Sequence, residues 1–200
     1  MKTILQINSS LFGEQGQSSK MANDFVDRLQ ANSEASALIR RDLHAKPLPH
    51  LDGQRFAAFT TPAAERDAGQ RAMVAESDAL INELRDADII VLGMPLYNLG
   101  VPSTFKAYID HVARAGETFR YTANGPEGLL QDKKVYIFAA RGGKYEGTAM
   151  DTQTAYLRHI LGLMGIKDIE FVYAEGLNMG GDVAEKALAD AQELIRQKAA

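Results

Sequence analysis

The chain has 200 residues, 46% of them apolar and 24% charged, with 22 Lys and Arg against 26 Asp and Glu for a net charge of −4, and it has no cysteine. A chain of this length and composition buries about 70% of its unfolded surface, which excludes a disordered segment and a disulfide-stapled scaffold. Without thiols it has no thiolate nucleophile or sulfur-ligated metal, and with neither charge sign blocked into a tail there is no basis for nucleic-acid binding.

Lys2 leads into a short mixed segment that reaches Asn8, Ser9 and Ser10 without the apolar stretch of a secretory leader, so a cytoplasmic protein is expected. Thr3-Ile4-Leu5-Gln6-Ile7 reads as a strand, and Met21, Phe25, Val26 and Leu29 then follow at helical spacing. Residues 35–42 read as a second, more polar strand near a sheet edge, and residues 73–84 as a helix marked by Met73, Leu80, Ile81 and Leu84. The run Ile89-Ile90-Val91-Leu92-Gly93 is apolar on both faces, as a central parallel strand requires. The apolar stretch around it, 89–97, is broken by Gly93 and Pro95 and falls short of the about 18 residues of a membrane span. Phe105, Ile109 and Val112 then mark a helix, 135–140 a strand, 156–164 a helix, 169–174 a strand and 183–195 a closing helix. Strands alternating with helices imply a doubly wound parallel sheet of five strands with helices on both faces. Without repeat, low-complexity tract or linker, residues 1–200 are expected to form a single domain. Two connections, 44–66 and 116–133, are long enough to suggest functional loops.

In such sheets ligands bind beyond the carboxyl ends of the strands. Three loops leave those ends. The first, from Asn8 to Ser19, carries hydroxyls and glycines but no cation before Lys20, and it runs into a helix amino terminus whose free N–H groups suit a phosphate. It is neither Gly-x-Gly-x-x-Gly nor a P-loop, so a monophosphate fits better than a dinucleotide or ATP; the alternative is that Ser18 simply caps the helix. The second, Met94 to Pro102, offers an apolar and aromatic wall with one amide, Asn98, suited to a flat heteroaromatic ring, or else packs on the core as an ordinary hydrophobic loop. The third, Arg141-Gly142-Gly143-Lys144, lets backbone approach a ligand closely, though paired glycines also form plain turns. Together the three describe a site for flavin mononucleotide (FMN).

At these loops the sequence resembles the FMN-dependent NADH:quinone oxidoreductase and azoreductase family, within the flavodoxin-like fold. The resemblance covers nearly the whole chain. Its most specific stretch runs through Pro95-Leu96-Tyr97-Asn98-Leu99, Val101-Pro102, Phe105-Lys106, Asp110, Ala113-Arg114-Ala115-Gly116, Thr118-Phe119-Arg120-Tyr121-Thr122 and Gly125-Pro126-Glu127-Gly128-Leu129. Further echoes are Ser9-Ser10, Gln17-Ser18, Arg141-Gly142-Gly143, Leu161-Gly162 with Gly165-Ile166, and Ala174-Glu175-Gly176. The resemblance implies strand order 2-1-3-4-5, FMN phosphate held at Ser10 and Gly16-Gln17-Ser18, and the flavin ring held by Leu96-Tyr97-Asn98-Leu99 and Ala140-Arg141-Gly142-Gly143. It also implies a homodimer with the flavin near the interface. Gly16 and Ala140 stand where relatives often have Ser, so only backbone can donate there; Tyr145 replaces a common His and Leu163 a common Phe, both bearing on the substrate.

The expected reaction is a ping-pong cycle in which NADH reduces FMN, NAD departs, and a quinone or azo compound takes two electrons. The hydride chemistry belongs to the cofactor, so no side chain is assigned as catalytic. Phe119 and Tyr121 are candidates for lining the substrate cavity with Tyr145 and Leu163, or else pack the long loop. The alternative function is a flavodoxin-type one-electron carrier; a hydrolase is disfavoured because no Gly-x-Ser-x-Gly elbow is present. His111 reads as a packing or surface residue of a helix rather than a proton donor, and no histidine pair has metal-ligand spacing, so no metal is expected.

Overall fold

The structure, a computed structural model, describes residues 2–32 and 36–200. Its elements are β1 (Lys2–Asn8), α1 (Gln17–Asn32), β2 (Ser36–Asp42), α2 (Gly53–Thr60), α3 (Ala68–Asp86), β3 (Ile89–Pro95), α4 (Ser103–Val112), β4 (Phe119–Thr122), β5 (Gly125–Gly128), β6 (Lys134–Ala140), α5 (Thr152–Leu163), β7 (Asp168–Ala174) and α6 (Gly181–Ala199). Five strands form one parallel sheet in the order β2-β1-β3-β6-β7, which is the expected 2-1-3-4-5 winding. Ala35, included in the expected second strand, lies outside the described residues.

The winding follows from the two-residue period of the strands. Leu5, Ile7, Ile90, Leu92, Val135 and Ile137 point to one face, where α3, α4 and α5 bring Leu80, Ile81, Leu84, Phe105, Ile109, Leu157 and Leu161 onto them. Ile4, Val91, Phe138, Val172 and Ala174 point to the other, under α1 and α6 with Phe25, Val26, Ala191 and Ile195. Both faces of β3 are thus covered, which accounts for its continuous apolar run. Helix α3 begins five residues earlier than its apolar pattern, because Asp67 and Gln70 form a reciprocal capping box ahead of it.

Both long connections contain elements that their sequences conceal. Within 44–66, Asp52 accepts the Arg55 N–H and starts α2, of which only Ala58 is buried. Within 116–133, β4 and β5 pair antiparallel as a hairpin. The hairpin docks at the amino-terminal end of the sheet: the Leu130 N–H donates to Met164 C=O at 2.8 Å, and a Cβ on Gly128 would lie 2.0 Å from the Gly165 nitrogen. Strand order reverses between β1 and β3, so the natural crevice lies at the other end, above the carboxyl ends of these strands and β6.

Candidate functional site

Each of the three loops contributes a different surface to that crevice. After β1, the Ser9 hydroxyl donates to Gly93 C=O at 2.9 Å and ties the chain to β3. The backbone then turns so sharply that a Cβ on Gly16 would sit 2.0 Å from Ser10 Oγ, so with the Ser10 side chain placed as it is the position takes glycine. The first main-chain bond of α1 runs from Lys20 N–H to Gly16 C=O at 2.9 Å, which leaves the N–H groups of Gln17, Ser18 and Ser19 without a helical acceptor. Ser18 stands one residue inside α1, and its hydroxyl is buried with no partner, so it does not cap the helix. A buried hydroxyl without a partner beside three free N–H groups is what an oxyanion would satisfy.

The wall after β3 is a two-residue turn. Asn98 and Leu99 both have left-handed φ, 49° and 62°, and the turn is closed by Gly100 N–H to Tyr97 C=O at 2.9 Å and Tyr97 N–H to Gly100 C=O at 3.1 Å. Two non-glycine residues in this region cost about 1–3 kcal/mol each, and their surroundings hold them there. Gln153 donates its amide to Pro95 C=O at 2.8 Å, the Thr152 hydroxyl bonds Leu99 C=O, and Leu96 N–H donates to Ala140 C=O at 3.0 Å. The Tyr97 hydroxyl accepts the Leu11 N–H at 3.1 Å and lies 3.4 Å from Ser10 Oγ, so one phenol clasps the first loop to the second.

After β6, the carbonyls of Arg141, Gly142 and Gly143 accept N–H groups of Leu177, Asn178 and Gly176 at 2.9–3.1 Å. Their chain is thereby turned so that the N–H groups of Gly142 and Gly143 make no bond among the described residues. A Cβ on Gly142 would meet the Asn178 amide at 2.6 Å, and one on Gly143 the Tyr145 ring at 2.8 Å. Arg141 turns its guanidinium away, into the interior, where it pairs with Asp151 at 2.9 Å and Glu175 at 3.0 Å; only the rest of the residue faces the crevice. Burial alone would raise the Asp151 carboxyl, but hydrogen bonds from Arg141 and Thr154 outweigh it and hold the group below its ordinary range.

The result is a cleft in two adjoining parts. One, about 360 Å³, is lined by Ser10, Gly16, Gln17, Ser18, Leu96, Tyr97, Ala140, Arg141 and Gly142. The other, about 470 Å³, is lined by Asn98, Leu99, Gly143 and Tyr145 and shares Leu96, Gly142 and Asn178 with the first. Every residue expected to hold the cofactor therefore lines one or other of two pockets that share Leu96, Gly142 and Asn178. The residues fit a phosphorylated flat ring: uncharged donors at one end, an apolar wall at the other, and unengaged N–H groups opposite it. The expectations missed Leu177 and Asn178, which the connection after β7 brings over the glycine pair; they too leave the carboxyl end of a strand, and that position was the available signal.

Phe119, Tyr121 and Leu163 do not reach this cleft within the chain. Phe119 is buried at the base of the hairpin with Tyr121 edge-on at 5.5 Å, Tyr121 is 77% exposed, and Leu163 ends α5. All three lie towards the amino-terminal ends of the strands, beside a larger groove of about 1080 Å³ floored by Lys2, Ile89, Lys134 and Asp168. His111 is fully buried, its Nδ1 2.8 Å from Ala107 C=O, which places it in the core as a packing residue.

Sheet order and cleft together define the flavodoxin-like class, and a family model described as a flavodoxin-like fold matches residues 2–199. The FMN-dependent NADH:quinone oxidoreductase of Cellvibrio japonicus (strain Ueda107) is 54% identical over 200 residues, 100% of each chain. That of Alcanivorax borkumensis (strain ATCC 700651 / DSM 11573 / NCIMB 13689 / SK2) is 56% identical over 189 residues, 94% of this chain and 96% of its own. Among solved structures, an azoreductase from Bacillus anthracis str. Sterne superposes with a TM-score of 0.91 at 29% identity, covering 100% of this chain and 99% of that one. The chain belongs to the family of FMN-dependent NADH:quinone oxidoreductases.

Proposed function

We propose that this chain holds FMN in the two-part cleft and uses it to carry electrons from NADH to quinones, with aromatic azo compounds as further acceptors. The observation that carries the reading is the cleft's chemistry: free, uncharged donors at the start of α1 and an apolar wall facing two glycines with unengaged N–H groups. FMN, when bound, supplies the hydride chemistry that no side chain of this cysteine-free chain offers. The chain's own residues bind and orient. Ser10, Gly16, Gln17 and Ser18 take the phosphate, where each hydrogen bond to the charged group contributes about 1.5–3 kcal/mol against about 0.3–1 kcal/mol from the α1 dipole. Leu96, Tyr97, Asn98 and Leu99 hold the ring and exclude water, and Gly142 and Gly143 offer donors to a ring that gains negative charge.

The second part of the cleft is where NADH and then the acceptor take turns, which is a two-electron ping-pong order. A one-electron carrier needs no substrate-sized space beside its ring, and this disfavours that alternative. A homodimer completes the site. Phe119, Tyr121 and Leu163 lie at the far end of their own chain, so they line a substrate cavity only across a two-fold axis, against a partner's cleft, whose neighbourhood exposes Leu11, Phe12 and Leu99. Among the described residues no helix is long and apolar enough to cross a membrane.

Purified protein titrated with FMN should bind it, oxidise one NADH per bound FMN without an acceptor, and turn over repeatedly only when a quinone is supplied, with parallel double-reciprocal lines. An azo dye should consume two NADH for each bond cleaved to two amines. A preparation that ignores added FMN, or that leaves NADH untouched with quinone present, overturns the reading.

A further inference from the structure

Among the described residues Arg141 is the largest fully buried side chain, and it lies directly behind the glycine pair of the cleft. Its guanidinium is 0% exposed; it donates to Asp151 Oδ1 and Thr154 Oγ1 at 2.9 Å each and to Glu175 Oε1 at 3.0 Å, and its Cζ lies 4.7 Å from the centre of the Tyr173 ring. Asp151 and Glu175 are themselves only 7% and 15% exposed. One cation faces two carboxylates, a local surplus of one negative charge that water screens poorly, whereas Lys144 and Lys186, which share an outer groove with Glu175, are exposed and well screened. The cluster is also rigid. Asp151 accepts the Thr154 N–H at the start of α5, and Glu175 accepts the N–H groups of Tyr145 and Glu146 at 3.0 Å, so the glycine loop is pinned at both flanks.

A single carboxylate would neutralise Arg141; the second needs another explanation. Transfer of a hydride from NADH, which leaves as NAD, brings two electrons and one proton to the cofactor and hence one unit of negative charge. We propose that the Arg141–Asp151–Glu175 cluster sets the reduction potential of the bound flavin, its fixed surplus charge opposing the charge taken up on reduction and making the reduced cofactor a stronger donor. The inference rests on the placement of the flavin against Gly142 and Gly143 argued above. Glu175 and Asp151 act here as positioning and field-setting residues; neither touches the substrate.

The test measures FMN dissociation constants in the oxidised and reduced states, with the midpoint potential of the holoenzyme read against a reference dye. Glu175→Gln should raise the potential, because the ratio of oxidised to reduced dissociation constants grows by about 10-fold when one poorly screened charge is removed at about 10 Å. Asp151→Asn should shift it in the same direction, and it carries the test if Glu175→Gln fails to fold, since Asn still caps α5. Glu193→Gln, a surface carboxylate paired with Arg196 further along α6, should leave the ratio unchanged. If the cluster merely clamps the loop, both redox states weaken by the same factor and the potential stays put, which overturns the inference while FMN binding stands. Failure of the wild-type protein to bind FMN would overturn the placement of the flavin as well.

Discussion

Replacing Ser18 with Ala separates binding from folding, because the two effects have opposite signs. The Ser18 hydroxyl is buried with the residue only 1% exposed and has no hydrogen-bond partner within the chain, so it contributes nothing to the fold and carries the cost of an unsatisfied polar group, about 1–3 kcal/mol. Removing it should leave the apoprotein as stable as the wild type or more so, and each kcal/mol recovered raises the melting temperature of a chain this size by about 2–4 °C. Towards FMN the same change deletes a hydrogen bond to a charged phosphate, about 1.5–3 kcal/mol, so the dissociation constant should rise about 10- to 150-fold. Riboflavin, which lacks the phosphate, should bind both proteins equally. The measurements are a thermal melt of the two apoproteins and fluorescence titrations with FMN and riboflavin. A variant that melts lower, or that loses both ligands by the same factor, would refute the assignment of Ser18 to the phosphate.

Further outcomes are expected elsewhere. Tyr97→Phe removes the acceptor for the Leu11 N–H and should weaken FMN about 10-fold, the worth of about 1 kcal/mol plus loosening of the clasp, with secondary structure unchanged by circular dichroism. Gly128→Ala forces a methyl group to within 2.0 Å of the Gly165 backbone nitrogen, so it should cost about 1–3 kcal/mol or more in chemical denaturation and depress quinone turnover, while FMN affinity is retained because the cleft lies at the other end of the sheet. The Asp151 carboxyl is held below its ordinary range, so its stabilising contribution is present above pH 3.8 and is lost as the pH falls through the lower, folded-state value. The melting-temperature gap between the wild type and Asp151→Asn should therefore narrow between pH 5 and pH 2. Burial pushes the Tyr156 hydroxyl up to about 12, so the protein should lose stability as the pH rises from 10 to 12, and Tyr156→Phe should flatten that limb.

The sheet was legible because its strands and main helices carry their apolar residues at periods of two and 3.6, and because the polar and glycine-rich breaks fall at strand ends. Helix α2 was not, since two turns with only Ala58 buried leave no amphipathic stripe to read. The β4–β5 hairpin was hidden by Gly125, Pro126 and Gly128, residues that signal a turn even where they pair as strands. The first turn of α5 was missed for a different reason: Gln153 is fully buried there for the sake of Pro95 C=O, and a polar residue in the core breaks the pattern that marks a helix. The place of the cleft could be read from loop positions and most of its residues from the family resemblance, whereas the fate of the Arg141 side chain could not. Its partners stand 10 and 34 residues away, and nothing local announces that a cation in a glycine loop will be the most deeply buried charge.

One helix ties the two ends of the molecule together. The first residues of α5 grip the turn after β3 through Leu99 and Pro95, and the residues just past its last turn grip the hairpin through Leu130 and Gly128. The helix thus serves as a rigid ruler of 12 residues, about 18 Å long, between two attachment points at opposite ends of the sheet. Adding or deleting a single residue would swing one attachment by about 100° relative to the other. The length of α5 is therefore fixed by what it holds at both ends.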